Sequence, residues 1–208
     1  AGDTLHPLRA HPADGIDVGL DLGLRTGFGD DRLRLGPMKI WLDGSLIGRT
    51  AALSEPFCDH GTAVFQDDPD VMRRLVVDAH RSGWRVAAHA IGDDAVDLAL
   101  DAFAEAARVH PRADVRHRVE HAGLVRPDQL PRFAATGAIA VVQPNFLWYF
   151  GDDYTAIMGE ERASWLYRGR SFAGHGIRLV GSSDRPVTAG NPLRAIQFMV
   201  TRVSSSGT

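Results

Sequence analysis

The sequence has little cysteine: Cys58 is the only one in 208 residues. One cysteine excludes an internal disulfide framework and a thiolate-rich structural zinc site, because both need at least two. No apolar run approaches the roughly 18 residues of a membrane-spanning helix. The opening residues, AGDTLHPLRAHP, have neither the basic region nor the apolar stretch of a signal peptide. We therefore expect a cytoplasmic protein with no membrane partner.

Charge of one sign is not in excess either. The 23 Lys and Arg residues oppose 26 Asp and Glu residues, and the two signs are interspersed along the chain. This pattern gives no basic stripe for nucleic acid, so we expect no nucleic-acid partner. Because 44% of the residues are apolar, the chain can form a sizeable core. We expect one globular domain that acts on a small-molecule substrate.

The chain divides near residue 36. Residues 1–35 contain six glycines and little periodicity, which predicts a lead-in segment with a short helix near residues 5–10 and loops. Residues 36–208 alternate short apolar runs with segments of helical spacing, which is typical of repeated strand-helix units. The five candidate strands span residues 38–42, 84–90, 115–122, 138–144 and 177–184.

Proline, glycine and capping residues mark the intervening helices. Asp68 and Pro69 can begin a helix that Gly83 ends. Further helices are predicted from Asp93, from Pro127 to Gly137, around residues 160–168, before Gly176 and near Pro192. The aromatic stretch NFLWYFGDDY, after Pro144, is predicted to be a long loop. Its aromatic side chains either line a pocket or pack in the core.

Strands that alternate with helices favour an α/β fold with a parallel sheet, either doubly wound or part of a barrel. No GxGxxG or GxxxxGK[ST] motif follows any candidate strand, which removes the most recognisable support for a nucleotide-binding open sheet. Lys39 lies within the first strand, while His89, His121, Gln143 and Asp184 end the others. In a parallel barrel such strand-end residues converge on one face.

Two histidines and an aspartate at equivalent points of successive units favour a metal site over isolated structural residues. Imidazole and carboxylate ligands suit zinc and similar divalent ions. We hypothesise that His89 and His121 hold an ion, and that Asp184 binds it and transfers a proton from water to a leaving amine.

Five segments carry a resemblance: KIWLDGSLIGRTAAL, HAIGDDA, RVEHA, VQPNF and GSSDRPV with NP shortly after. In this order they resemble the amidohydrolase superfamily, in the YtcJ-like branch that includes N-substituted formamide deformylases. The resemblance covers roughly residues 30–200. It implies a metal-dependent hydrolase of carbon–nitrogen bonds, amide or formamide-like, on a (β/α)8 TIM barrel of which these strands resemble the fourth to eighth.

The resemblance also implies residue roles. Lys39 matches a lysine that can be carboxylated to bridge two metal ions, although it could equally be an ordinary strand-end side chain. His89 and His121 match metal ligands, and Asp184 matches the catalytic aspartate. Asp43 matches a loop element that shapes the pocket and binds substrate, with a plain Asp-Gly turn as the alternative. Gln143 is a candidate substrate contact.

Other polar residues are expected to be structural. Asp93 can cap a helix, and Glu120 can pair with Arg118. The remaining histidines are expected to be structural or exposed: His60, His80, His110, His117 and His175.

The first-strand HxH pair of the superfamily does not occur in these 208 residues. We therefore expect a fragment of a longer enzyme, inactive as given, that binds metal weakly or not at all. The alternative is a non-catalytic fragment that folds or associates with itself through exposed sheet edges, so a homo-oligomer is expected. A third reading is an unrelated α/β binding protein.

Overall fold

The computed structural model describes residues 21–59, 61 and 63–207. Its five strands form one parallel sheet, and each lies inside a predicted run. The strands are β1 (Met38–Trp41), β2 (Val86–Ala90), β3 (Arg118–His121), β4 (Ile139–Val142) and β5 (Arg178–Gly181). The helix predicted near residues 5–10 lies outside the described residues.

The strand order across the sheet is the order in the chain, β1-β2-β3-β4-β5, and every neighbouring pair is parallel. A doubly wound sheet has a switch point at which the strand order reverses, so its order is not sequential. A barrel wall instead advances by one strand at each step. The predicted α/β fold, part of a (β/α)8 barrel, is therefore confirmed.

Seven helices lie wholly within the described part of the chain. They are α1 (Pro69–Arg81), α2 (Asp93–Val109), α3 (Gln129–Thr136), α4 (Pro144–Met158), α5 (Glu160–Ser164), α6 (Gly169–Gly174) and α7 (Pro192–Thr201). The Asp68 carboxylate caps α1 by accepting from the backbone amides of Asp70 and Val71. Among the residues described, no helix combines the length and apolar character needed to cross a bilayer.

The aromatic stretch after Pro144 is helical, so the prediction of a long loop was wrong. Pro144 occupies the first turn of α4, where its fixed backbone angle favours a helix start. Phe146 is buried, and Trp148 stacks on Phe198 of α7 with 4.8 Å between ring centroids. Helix–helix packing thus decides the conformation of a segment whose aromatic and Gly-Asp-Asp residues suggested a loop.

The two faces of the sheet differ in chemistry. Register places Ile40, Ala88, Val119 and Ala140 on one face, where all are buried; on the same side α1 and α2 pack together and against β2. The opposite, inner face carries polar side chains in two rows. Lys39 and Arg118 lie in one row; Trp41, His89 and Glu120 lie in the next. The inner face is therefore the one suited to chemistry.

A chain of hydrogen bonds joins the amino-terminal ends of two strands. The backbone amide of Val86 donates to Nδ1 of His117, whose Nε2 lies 2.9 Å from Nδ1 of His80. His80 Nε2 lies 2.7 Å from the carbonyl oxygen of His110. Because His117 Nδ1 accepts, its Nε2 must donate, and the same direction holds at His80. The expectation that these histidines are structural agrees with this arrangement.

We predict that His117→Phe lowers the free energy of unfolding by about 2–4 kcal/mol, because it leaves the buried amide of Val86 and Nδ1 of His80 without partners. Urea denaturation at pH 7 measures this loss. The matched control is His175→Ala, an exposed histidine, for which a change within about 0.5 kcal/mol is expected. Equal losses in the two variants would contradict the stabilising role of these hydrogen bonds.

The difference in stability between the wild type and His117→Phe should also depend on pH. Burial lowers the pKa of His117 from 6.5 to about 3, and the neighbouring His80, Arg112 and Arg85 are smaller causes in the same direction. As the pH falls, His117 is therefore protonated in the unfolded chain before it is protonated in the folded chain. The contribution of neutral His117 to the free energy of unfolding is complete above pH 6.5 and falls toward pH 3. The stability advantage of the wild type over His117→Phe should shrink between pH 6.5 and 4. An advantage that is constant with pH would refute this.

Candidate metal centre

His89 and His121 meet at the carboxyl ends of β2 and β3. Their ring centroids are 4.5 Å apart with the rings inclined at 66°, and both side chains are buried. His89 lies within β2 on the inner face, and His121 is the last residue of β3. His121 has a φ of 74°, in the left-handed region that residues other than glycine seldom adopt. The structure thus brings together the two histidines that the sequence predicted as ligands.

His89 is oriented by the loop that follows β1. Its Nε2 lies 2.8 Å from the carbonyl oxygen of Gly44 and 3.4 Å from Oδ1 of Asp43. Both partners are acceptors, so Nε2 carries the proton and Nδ1 keeps its lone pair. Metal-binding histidines are characteristically held in this way, with the second ring nitrogen donating to a carbonyl or a carboxylate.

Both imidazoles are neutral at physiological pH. Burial lowers the pKa of His89 to about 3, and the nearby His121 and Lys39 add to the effect. Burial and Lys39 lower the pKa of His121 to about 4, against a smaller opposing effect of the Gln143 side chain. A neutral ring is the form that binds a metal, so the pair needs no deprotonation to serve as ligands.

Asp43 is fully buried, and it fixes the loops around His89. Its carboxylate accepts from the backbone amides of Ala52, Ile91 and Gly92, at 3.1, 3.0 and 2.7 Å. Burial raises its pKa to about 7 in spite of these three donors. Asp43 is therefore more than part of an Asp-Gly turn, because its contacts join the loops that follow β1 and β2, whereas its predicted role in shaping a pocket stays a prediction. Its predicted contact with substrate stays a prediction.

Lys39 is the only lysine in the sequence. It is the second residue of β1, and its Nζ lies 5.0 Å from the centroid of the Trp41 ring. Burial lowers its pKa, while the negative charges of Glu120 and Asp184 oppose that shift. The lysine therefore lies on the inner face within electrostatic range of the predicted aspartate. Its predicted metal ligation and carboxylation stay predictions.

Asp184 lies three residues beyond β5, at the same end of the sheet as the histidines. It is exposed, and its φ of 52° is again left-handed. In the described part of the chain, no three His, Cys, Asp or Glu side chains come close enough together to hold one ion. The histidine pair fits a metal ion by its charge state and orientation, whereas ligation by Asp184 stays a prediction.

Gln143 is buried directly after β4. Its Nε2 donates to the carbonyl oxygen of Val141 at 3.2 Å, and its side chain adjoins His121. This placement at the strand end agrees with a position near the histidine pair. The substrate contact predicted for Gln143 stays a prediction.

Two expectations about neighbouring charges have different outcomes. Glu120 accepts from Arg118 Nε at 2.7 Å, as expected. Asp93 does not cap α2, since Gly92 is the cap residue and Asp93 instead accepts from Ser54 and Arg126. The prediction of a cap at residue 93 was wrong because α2 begins one residue earlier than the sequence pattern suggested. His60 lies outside the described residues.

Sequence reasoning missed Asn145, the second residue of α4. Its buried side chain bonds to Thr188 and Ala189, in the loop that carries Asp184. The VQPNF motif contains this residue, but its partners lie more than 40 residues away in the chain. A partner at that separation has no periodicity that would reveal it.

The comparisons with known proteins agree with this geometry. The model of the amidohydrolase family matches residues 1–208. YtcJ of Bacillus subtilis (strain 168) is 34% identical over 83% of the chain and 32% of its own length. The N-substituted formamide deformylase of Arthrobacter pascens is 30% identical over 84% of the chain and 32% of its own length. The chain therefore spans about a third of the curated relatives that it matches.

A solved structure shows the same fold. An uncharacterized metal-dependent hydrolase from Pyrococcus furiosus is 37% identical, with a TM-score of 0.76, over 88% of this chain and 37% of that one. Sequential parallel strands, a neutral histidine pair at their carboxyl ends and a family match over the whole sequence lead to one conclusion. The chain belongs to the amidohydrolase family, in the branch that includes YtcJ and N-substituted formamide deformylase.

Proposed function

We propose that this chain supplies the catalytic aspartate and part of the metal site of a hydrolase that cleaves an amide or formamide-like carbon–nitrogen bond. The observation that carries the proposal is the buried contact of His89 and His121, both neutral and with one ring already oriented. Zinc is the proposed ion, because imidazole nitrogen and carboxylate oxygen are among its preferred ligands. The formamide-like substrate class is supported by the relative from Arthrobacter pascens.

In this proposal the residues of the site have separate roles. His89 and His121 would hold a divalent ion through ring nitrogens, and that ion would supply Lewis-acid chemistry. Asp43 and Gly44 keep the His89 ring in position. Asp184 accepts a proton from the attacking water and delivers it to the leaving amine nitrogen.

A second candidate is a non-catalytic piece that associates with another copy of itself. The observation that favours it is an exposed apolar surface on α7, comprising Leu193, Ile196 and Val200. Exposed apolar patches mark interaction surfaces. Light scattering across a range of concentrations tests self-association: a monomer at every concentration would exclude it, and zinc binding by a monomer would favour the first candidate.

We predict that the wild-type chain binds zinc weakly, through two nitrogen ligands, and that His121→Ala weakens this binding further by at least tenfold, because one of the two ligands is lost. Calorimetric titration with zinc chloride at pH 7 measures the dissociation constants. His175→Ala is the matched control, since this histidine is exposed and away from the strand ends. The same affinity in wild type and His121→Ala would remove His121 from the site.

In the protein at the full length of its relatives, we predict that His121→Ala lowers kcat/KM for an N-substituted formamide by about 10³-fold or more, because the ligand acts on the chemical step. A circular dichroism spectrum unchanged from wild type shows that the fold is retained. Unchanged turnover in the variant would exclude a catalytic role for the histidine pair. If the protein hydrolysed esters but no formamide, the proposed metal centre would stand and the proposed substrate class would be refuted.

A further inference from the structure

The loop of residues 182–190, between β5 and α7, carries Asp184 and is tied to the start of α4 by one buried side chain. Asn145 is 2% exposed. Its Nδ2 donates to Oγ1 of Thr188 at 3.2 Å and to the carbonyl oxygen of Ala189 at 2.9 Å. One amide group therefore holds two consecutive residues of the loop against the helix.

Thr188 extends this connection to the residue before Asp184. Thr188 is 5% exposed, and its hydroxyl donates to the carbonyl oxygen of Ser183 at 2.5 Å. Because the hydroxyl accepts from Asn145 and donates to Ser183, both of its hydrogen-bonding directions are used. The chain of bonds thus runs from a buried helix terminus to the peptide unit that begins Asp184.

The loop has a conformation that needs such support. Asp184 has a φ of 52°, in the left-handed region that most residues other than glycine avoid and that Asp tolerates better than most. Asp184 and Val187 are both exposed, so packing supplies little restraint at the tip. A left-handed residue in an exposed loop persists only where the surrounding structure fixes it.

We propose that Asn145, acting through Thr188, is a positioning residue that sets the place of the Asp184 carboxylate relative to the strand ends. The inference rests on the proposed function, in which Asp184 transfers the proton. Neither Asn145 nor Thr188 has a role in the chemistry itself. Their effect on the site passes through the position of Asp184 alone.

The single lysine gives a readout that needs neither metal nor turnover. Lys39 Nζ lies within electrostatic range of Asp184, so the ¹³Cε signal of labelled lysine reports where that carboxylate lies. Displacement of the loop by Asn145→Ala or Thr188→Val is expected to move this signal in the direction produced by Asp184→Asn. Thr188→Ser keeps the hydroxyl and should retain the wild-type signal position.

The double variants separate positioning from a general structural role. On the Asp184→Asn background, Asn145→Ala and Thr188→Val should move the Lys39 signal no further, because the charge they displace is gone. A shift of equal size with and without Asp184 would overturn the proposal, and so would an unmoved signal in both single variants. Exchange protection of the Val119 amide in β3 verifies that each variant is folded.

Zinc titration of the same wild-type sample decides the proposed function separately. Wild type that binds no zinc would overturn the metal site of this chain and leave the Lys39 coupling result intact. Wild type that binds zinc, with Thr188→Val weakening binding about tenfold and Thr188→Ser not, would extend the positioning role to a metal-bound Asp184.

Discussion

One buried carboxylate holds together the loops that follow β1 and β2. Asp43 is fully buried, and its two oxygens accept from three backbone amides contributed by the segments around Ala52 and Gly92. An unpaired carboxylate in such a place would cost several kcal/mol, and the pKa of about 7 shows that burial outweighs the three donors. The segments meet so closely that a Cβ on Gly92 would lie 1.8 Å from the carbonyl oxygen of Ala52.

The chemistry of the site depends on these contacts of Asp43. Asp43 and its neighbour Gly44 present two acceptors to His89, which fixes the proton on one ring nitrogen and leaves the other as a ligand. Burial of the same region keeps both histidines uncharged. At His121 and Asp184 the backbone takes left-handed angles at the strand ends, a local strain that is characteristic of functional sites.

The sequence predicted most of the fold because its signals are local. Apolar runs bounded by Pro and Gly gave the five strands, and Asp68 with Pro69 marked a helix whose cap needs only neighbouring residues. Helix α4 was not predicted because its conformation depends on the contact between Trp148 and Phe198, which are 50 positions apart in the chain. The histidine pair was predictable from strand-end placement, whereas the bond from Asn145 to Thr188 joins two segments with no common pattern.

The position of Asp184 also reveals how the sheet is shaped. In a flat sheet, strands β1 and β5 would be about 19 Å apart, since neighbouring strands are separated by about 4.8 Å. Charges that far apart in water are largely screened, because the Debye length is about 8–10 Å under ordinary salt conditions. Yet Asp184, after β5, acts on the pKa of Lys39 in β1. This agrees with a sheet that curves as part of a barrel wall, so that its first and last strands face a common space. That curvature lets residues from distant strands act on one ligand, with the inner-face pair of Arg118 and Glu120 lining the same side.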